Sequence, residues 1–319
     1  MKRLLVTRKL PPAVEERATR EFDALLNTTD RPYAADELVQ AAAGAEAILC
    51  CPADKFDAAL IENLPSSVKA IGTFSVGYDH ISLPAASKRG IRLCNTPDVL
   101  SRATAECAML LILAAARRAG EGERMLRAGQ WTGWAPTQLL GSQVSGRRLG
   151  IFGMGRIGRE LARMATGFGM TVHYHNRTRL DPALEAGAVY EPDETRFLAS
   201  CNILSLNAPG GAATQNWLDH VRLSRLPRGA IVVNTARGSL INDEDLIQAL
   251  RSGHVSAAGL DVYNKEPAFH QGYLSFENVV LLPHLGSATI ETRDSMGFLA
   301  LNGIAALLSG HEPDNMIRL

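Results

Sequence analysis

Short apolar runs alternate with segments of helical spacing along almost the whole chain. Leu4 to Val6, Ala47 to Cys50, Val68 to Thr73 and Ile91 to Cys94 are runs of strand length. A helix is expected after Pro11 and Pro12, with Glu15 and Glu16 in its first turns, and another from Asp57 to Leu64. Continuous apolar strands alternating with helices predict a parallel sheet covered on both faces. The second half repeats the pattern. Leu149 to Phe152, Met170 to Tyr174, Asn202 to Leu206, Ala230 to Asn234, Ala257 to Leu260 and Val279 to Leu282 read as strands. Helices are expected from Arg156 to Met164, from Asp243 to Arg251 with a stop at Gly253, and from Ser287 to Leu308. Between the halves runs Ser101 to Arg118, apolar on most faces and so buried in a core or a subunit interface. Trp131 and Trp134 follow in a loop. This segment is read as the crossover between two domains and as a dimer contact.

Length supports two domains, since 319 residues is long for one core. Because the final helix follows the last strand of the second half, it is expected to cross back and complete the first domain. The chemistry of the surface is ordinary. Apolar residues make up 46% of the chain, and 33 basic residues balance 33 acidic ones, so nothing favours a nucleic acid or a membrane surface. The longest apolar stretch, Cys107 to Ala116, is well short of the ~18 residues a membrane span needs. Five cysteines, two of them adjacent at Cys50 and Cys51, with no C-x-x-C and no secretory signal, read as reduced thiols of a cytoplasmic protein. No metal is expected.

The strongest local signal is Gly153-Met154-Gly155-Arg156-Ile157-Gly158, set between an apolar run and a helical segment. Gly153 permits a tight turn, Gly155 lets the backbone approach a pyrophosphate, and Gly158 lets the helix pack close to the strand. The amides at the helix start then face phosphate with the positive end of the helix dipole. The strand–turn–helix–strand context favours a dinucleotide over a purely structural turn or a methyltransferase loop.

Three polar residues follow strand ends in the same half. Arg237 follows Ala230 to Val233, Glu266 follows Ala257 to Leu260, and His284 follows Val279 to Leu282. In an open α/β sheet such ends converge on one crevice. The three residue types supply a guanidinium for a carboxylate, an imidazole for proton transfer, and a carboxylate to orient that imidazole. In the first half, Phe74-Ser75-Val76-Gly77-Tyr78-Asp79 follows a strand, where Gly77 serves either the turn alone or the approach of backbone amides to an anion.

Taken together, these motifs resemble the D-isomer-specific 2-hydroxyacid dehydrogenases, most closely the glyoxylate/hydroxypyruvate reductase branch. The resemblance runs over nearly the whole chain. It is carried by Val76-Gly77-Tyr78-Asp79, by Asn95-Thr96-Pro97-Asp98-Val99-Leu100 with Thr104-Ala105-Glu106, and by the Gly153 loop. Further carriers are Asn234-Thr235-Ala236-Arg237-Gly238, Gly259-Leu260-Asp261-Val262, Glu266-Pro267 and Pro283-His284. It implies an α/β protein of two doubly wound parallel-sheet domains, a Rossmann cofactor domain inserted in a flavodoxin-like substrate domain. The substrate domain would comprise residues 1–98 and 287–319, and the cofactor domain residues 99–286. A homodimer is implied as well. One departure, Arg102 where the family often has an acid, carries no functional reading.

By the same resemblance, Arg237 holds the carboxylate and carbonyl of a small 2-keto or 2-hydroxy acid. His284 exchanges the proton, Glu266 hydrogen-bonds His284, and the amides of Val76 and Gly77 hold the carboxylate. The dinucleotide is held by the Gly153 loop with Arg156 and Ile157, by Thr104, and by Leu206, Asn207, Pro209 and Thr214. Thr235, Ala236 and Arg237, then Asp261, His284 and Gly286, complete its site. The implied reaction is reversible reduction of glyoxylate or hydroxypyruvate to the D-2-hydroxy acid. Alternatives are a relative acting on D-lactate, phosphoglycerate, phosphite or formate, or a nucleotide-sensing corepressor of the same fold. The absence of a C-terminal regulatory extension counts against phosphoglycerate. Cofactor choice is read from the residues themselves. Where an NAD-specific fold carries an acid for the ribose 2′-OH, this chain has Asn176, followed by Arg177, Thr178 and Arg179. Two guanidiniums without a carboxylate favour a 2′-phosphate, so NADP(H) is expected over NAD(H), with NAD(H) still accepted.

Overall fold

The structure, a computed structural model, describes residues 1–318. In chain order, the first segment runs β1 (Arg3–Val6), α1 (Pro12–Glu21), β2 (Asp23–Leu26), α2 (Ala35–Ala41) and β3 (Ala47–Cys50). It continues with α3 (Ala58–Asn63), β4 (Ala70–Thr73), α4 (Leu83–Lys88) and β5 (Arg92–Cys94). Next come α5 (Ser101–Ala116), α6 (Ala119–Arg127), β6 (Arg148–Phe152), α7 (Arg156–Gly167), β7 (Thr171–His175), β8 (Val189–Tyr190) and α8 (Glu194–Ser200). They lead to β9 (Ile203–Leu206), α9 (His220–Arg225), β10 (Ala230–Asn234), α10 (Asp243–Arg251), β11 (Val255–Leu260) and β12 (Val279–Leu281). The chain closes with α11 (Ile290–Leu308) and β13 (Met316–Ile317).

Two compact units form, one from Met1–Leu100 with Ser287–Leu319 and one from Ser101–Gly286. The first holds a six-stranded sheet in the order β13-β5-β4-β3-β1-β2. All its pairings are parallel except β13 with β5. Leu5, Ile48, Ile71 and Leu93 lie on its buried side with Phe56, Leu60 and Ile61. The chain order reverses between β1 and β3, and α11 packs on the β3, β4 and β5 side.

The second unit holds seven parallel strands in the order β12-β11-β10-β9-β6-β7-β8. Its order reverses between β6 and β9, which is where ligands bind in open sheets of this kind. Separate apolar layers cover the two faces. One gathers Phe197, Leu204, Leu218, Val232 and Leu246, the other Leu111, Ile112, Ile151, Tyr174 and Val233. α5 spends its apolar surface here, against α7, β10, β11 and β12, and of its large side chains Leu110 is 55% exposed. That helix is therefore a core element of its own unit, and the Trp131 and Trp134 side chains lie open at 52% and 82% exposure.

Some boundaries depart from the sequence reading. α5 stops at Ala116 because Arg118 turns left-handed, with φ 53°, and pairs with Glu121. α11 begins at Ile290, three residues later than the pattern placed it, because the Thr289 hydroxyl accepts the Thr292 amide (3.2 Å) and caps the helix there. β2, β8 and β13 were not anticipated. All three are short edge strands, paired on one side only: β8 and β13 have two residues each, and β2 joins α1 through Phe22 alone, so no break in the chain marks it.

Candidate active site

Strand register brings the site residues of the second unit level with one another. Phe152 pairs with His175 and Leu206, Leu206 with Asn234, Asn234 with Leu260, and Leu260 with Leu281. The residues that follow these ends therefore share one edge of the sheet. They are Gly153, Asn176, Asn207, Thr235 to Arg237, Asp261 and His284.

At that edge the Gly153 loop is held from two sides. Gly153 has φ 96°, and a side chain there would collide with the backbone of Asn207 and Ala208. Its amide donates to the His175 carbonyl (3.1 Å), and the Met154 amide donates to Asn176 Oδ1 (2.7 Å). A Cβ on Gly158 would sit 2.7 Å from the Gly153 carbonyl oxygen, so α7 packs directly on the turn. No side chain caps α7 at Gly155, and a Cβ there would meet nothing within 4 Å. The Ile157 and Gly158 amides of the first helical turn keep their donors for a ligand on that open side. Two buried polar atoms nearby, Asn207 Oδ1 and Thr235 Oγ1, have no partner among the described residues. An open glycine cradle, an uncapped helix start and orphaned polar atoms fit a dinucleotide.

The remaining expected cofactor residues fall around this edge. Leu206 is the buried end of β9, and Thr214 Oγ1 donates to the Pro209 carbonyl (2.7 Å), closing the loop between them. Thr104, Asp261 and Gly286 come together, since a Cβ on Gly286 would lie 3.3 Å from Asp261 Oδ2 and 3.3 Å from Thr104 Cγ2. Arg156 starts α7, and Arg177 and Thr178 are exposed after β7. Arg179 departs from the expectation of two available guanidiniums. It is paired with Glu185, Nε to Oε1 at 2.8 Å and Nη2 to Oε2 at 3.1 Å, and Tyr174 donates to the same carboxylate (2.7 Å). Residues 173–180 contain no acid, but the fold brings Glu185 back onto Arg179 from six residues further on. Arg177 ion-pairs with no carboxylate among the described residues.

The fold brings His284 and Glu266 into contact and sets Arg237 near enough to act on the Glu266 charge. The Glu266 carboxylate accepts from the Tyr263 amide through Oε1 (2.9 Å) and meets His284 Nδ1 through Oε2 (2.7 Å). Burial pushes the Glu266 carboxyl up, but the hydrogen bond and charge of His284, the Tyr263 amide and the Arg237 guanidinium together hold it below its ordinary value. It is therefore ionised near neutral pH and can only accept, so Nδ1 carries the proton toward it and Nε2 is the nitrogen left for chemistry. Arg237 is set by the turn after β10. Asn234 Nδ2 donates to the Arg237 carbonyl (2.8 Å), and its Oδ1 accepts from the Ala236 amide (3.0 Å). Gly238 beside it lies so close to the Tyr263–Asn264 backbone that no side chain fits, which brings the arginine turn against the Glu266 loop.

Asp261 has a task the sequence did not show. His284 sits in the left-handed region at φ 56°, a conformation that costs a non-glycine residue about 1–3 kcal/mol. Asp261 holds it there. Its carbonyl accepts the His284 amide (2.9 Å), and its carboxylate accepts the Leu285 amide (2.6 Å) and the Gly286 amide (2.8 Å). Burial raises the Asp261 carboxyl above its ordinary value in spite of those amides. Asp261→Asn would set an amide NH2 against one of two backbone donors. Its expected cost is about 1–3 kcal/mol of stability, the worth of one buried unsatisfied donor, read as a lowered urea midpoint. An unchanged midpoint would show that this clamp does not bear on the turn.

Val76 and Gly77 belong to the first unit, in the loop after β4. Among the described residues no group of three or more metal-ligating side chains gathers, and no helix is long and apolar enough to cross a membrane.

Comparison with known proteins gives a consistent result. Residues 109–286 match the family model of the D-isomer specific 2-hydroxyacid dehydrogenase NAD binding domain. The chain is 39% identical over 311 residues to the glycerate dehydrogenase of Hyphomicrobium methylovorum, covering 97% of each. It is 37% identical over 320 residues to the glyoxylate reductase of Thermococcus litoralis, covering 99% of this chain and 96% of that one. Among solved structures, it resembles the NADPH-dependent glyoxylate/hydroxypyruvate reductase of Sinorhizobium meliloti, in complex with NADP and malonate. There the TM-score is 0.88 at 32% identity, over 99% of this chain and 96% of the other.

Proposed function

The chain belongs to the D-isomer-specific 2-hydroxyacid dehydrogenase family, and from that premise we propose that it reduces glyoxylate or hydroxypyruvate, with NADPH preferred to NADH. The observation that carries the chemistry is the His284–Glu266 pair, 2.7 Å apart beside Arg237. The unit Ser101–Gly286 is read as the cofactor domain, and the unit of Met1–Leu100 and Ser287–Leu319 as the substrate domain. The exposed Trp131 and Trp134 suit the contact of a homodimer.

The Gly153 loop, the start of α7, Asn207 and Thr235 would hold the dinucleotide, which supplies a hydride when bound. Arg237 presents its guanidinium to the substrate carboxylate and carbonyl, removing much of the orientational cost of the reaction. Val76 and Gly77 are read as amide donors to the same carboxylate. His284, protonated on both nitrogens, donates from Nε2 to the carbonyl oxygen as negative charge develops there. Glu266 accepts from Nδ1, fixes the ring plane and stabilises its positive charge. In the oxidising direction the same nitrogen takes the hydroxyl proton.

The direct test is consumption of NADPH and NADH with each keto acid, followed by the absorbance of the reduced nicotinamide. Reduction of neither acid with either cofactor would refute the reading. Glu266 gives a second test. Glu266→Gln removes the charged acceptor that holds Nδ1 and the ring plane, so it should lower kcat for keto-acid reduction about tenfold or more and leave NADPH affinity unchanged. A kcat within about twofold of wild type would separate Glu266 from the proton transfer.

A further inference from the structure

The loop after β4 is built so that its carbonyls are used internally and its amides are not. The Ser75 carbonyl accepts the Thr96 amide (2.8 Å), the Val76 carbonyl accepts Asn95 Nδ2 (2.7 Å), and the Gly77 carbonyl accepts Ser75 Oγ (2.6 Å). In a trans peptide the N–H points opposite to the carbonyl of the preceding residue. Each carbonyl drawn toward Asn95, Thr96 or Ser75 therefore turns the next amide away from them. The amides of Val76 and Gly77 accordingly point away from these braces and donate to no acceptor among the described residues. Successive backbone donors of this kind form a concavity for an anion.

Side chains behind the loop fix its hydrogens. A carbonyl only accepts, so the single Ser75 hydroxyl proton is committed to Gly77. Thr73 Oγ1, 2.8 Å from Ser75 Oγ, must then donate to it, and His80 Nε2, 3.0 Å from Thr73 Oγ1, must donate in turn. Asn95 is anchored likewise, its amide on the Asn315 carbonyl (3.1 Å) and its carbonyl on Asn315 Nδ2 (2.7 Å). Ser75 is 6% exposed and Asn315 is 5% exposed, so both braces lie away from solvent.

We propose that Asn95 and Ser75 are positioning residues for the substrate carboxylate: Asn95, through the Val76 carbonyl, aims the Gly77 amide, and Ser75, through the Gly77 carbonyl, holds that same residue's following peptide in place, with Thr73, His80 and Asn315 as their supports. This rests on the reductase reading for the identity of the anion, not for the geometry of the loop. Because the amides grip a group that does not change during the reaction, their loss weakens ground state and transition state alike.

The test uses the full-length protein saturated with NADPH. Oxamate, a non-reducible carboxylate analogue of glyoxylate, is titrated by calorimetry into wild type, Ser75→Ala and Asn95→Ala, and steady-state kinetics are run alongside. Each variant should weaken oxamate binding about tenfold and raise the keto-acid KM to match, with kcat within about twofold and NADPH affinity unchanged. The two variants act on different carbonyls, so a folding failure in one leaves the other informative. Wild type that does not bind oxamate, or folded variants that bind it as wild type does, would overturn the proposal. Wild type that reduces neither keto acid yet loses oxamate binding in both variants would sink the reductase reading and leave the positioning role standing.

Discussion

Replacing His284 by alanine should lower kcat for keto-acid reduction by roughly 10²–10⁴-fold, the usual worth of a positioned general acid, and leave NADPH affinity nearly intact. Glu266 occupies Nδ1 at 2.7 Å, so in the proposed reaction Nε2 is the ring nitrogen left to give the proton. The turn that carries the ring depends on backbone bonds to Asp261 and not on the imidazole. Alanine keeps the backbone requirement at φ 56° about where histidine sets it, since both carry a Cβ. The loss should therefore fall on chemistry, with folding and cofactor binding conserved. Cofactor fluorescence titration and thermal melting check the second half of the claim. A variant that keeps more than half of the wild-type kcat would remove His284 from the proton transfer.

Most of the framework was legible in the chain because buried parallel strands leave continuous apolar runs. β3, β4, β6, β9, β10 and β11 all have such runs, and the glycine loop stands where one of them stops. β2, β8 and β13 left no such mark, since β8 and β13 are two residues long and β2 joins α1 through Phe22 alone, whereas the edge strand β12 keeps an apolar run. Arg237, Glu266 and His284 could be placed at strand ends, but the contact of Glu266 with His284 could not be read. The contact depends on register, on the tight approach at Gly238 and on the left-handed turn at His284, none of which has a local signature. Asp261 shows the same limit. Its position was named for a ligand, yet its carboxylate accepts two amides of the His284 turn, partners 24 and 25 residues away in sequence. The pairing of Arg179 is invisible to the local sequence for the same reason, because the acid that engages it, Glu185, comes back through the fold.

Cofactor choice turns on the same arginines. A protein that reads NADPH must meet a phosphate dianion where an NAD-specific one meets a hydroxyl, and it does so with positive charge and donors. Asn176 is neutral, and its Oδ1 is taken by the Met154 amide, which fixes the side chain against the glycine loop. The charge of Arg179 is offset by Glu185, while Arg177 is exposed and faces no carboxylate among the described residues. Wild type should therefore show a higher kcat/KM with NADPH than with NADH. Arg177→Ala should cut the NADPH value on the order of 10- to 100-fold and barely change the NADH value, since one charge-assisted hydrogen bond is worth about 1.5–3 kcal/mol. Arg179→Ala alone should do less, and the double variant should lose most of the preference. The preference should also shrink as salt rises, because the contact lies at the surface and is screened. The measurement is kcat/KM for both cofactors on all four proteins at two ionic strengths. A wild type that favours NADH, or a double variant with an unchanged ratio, would show that these arginines do not read the phosphate.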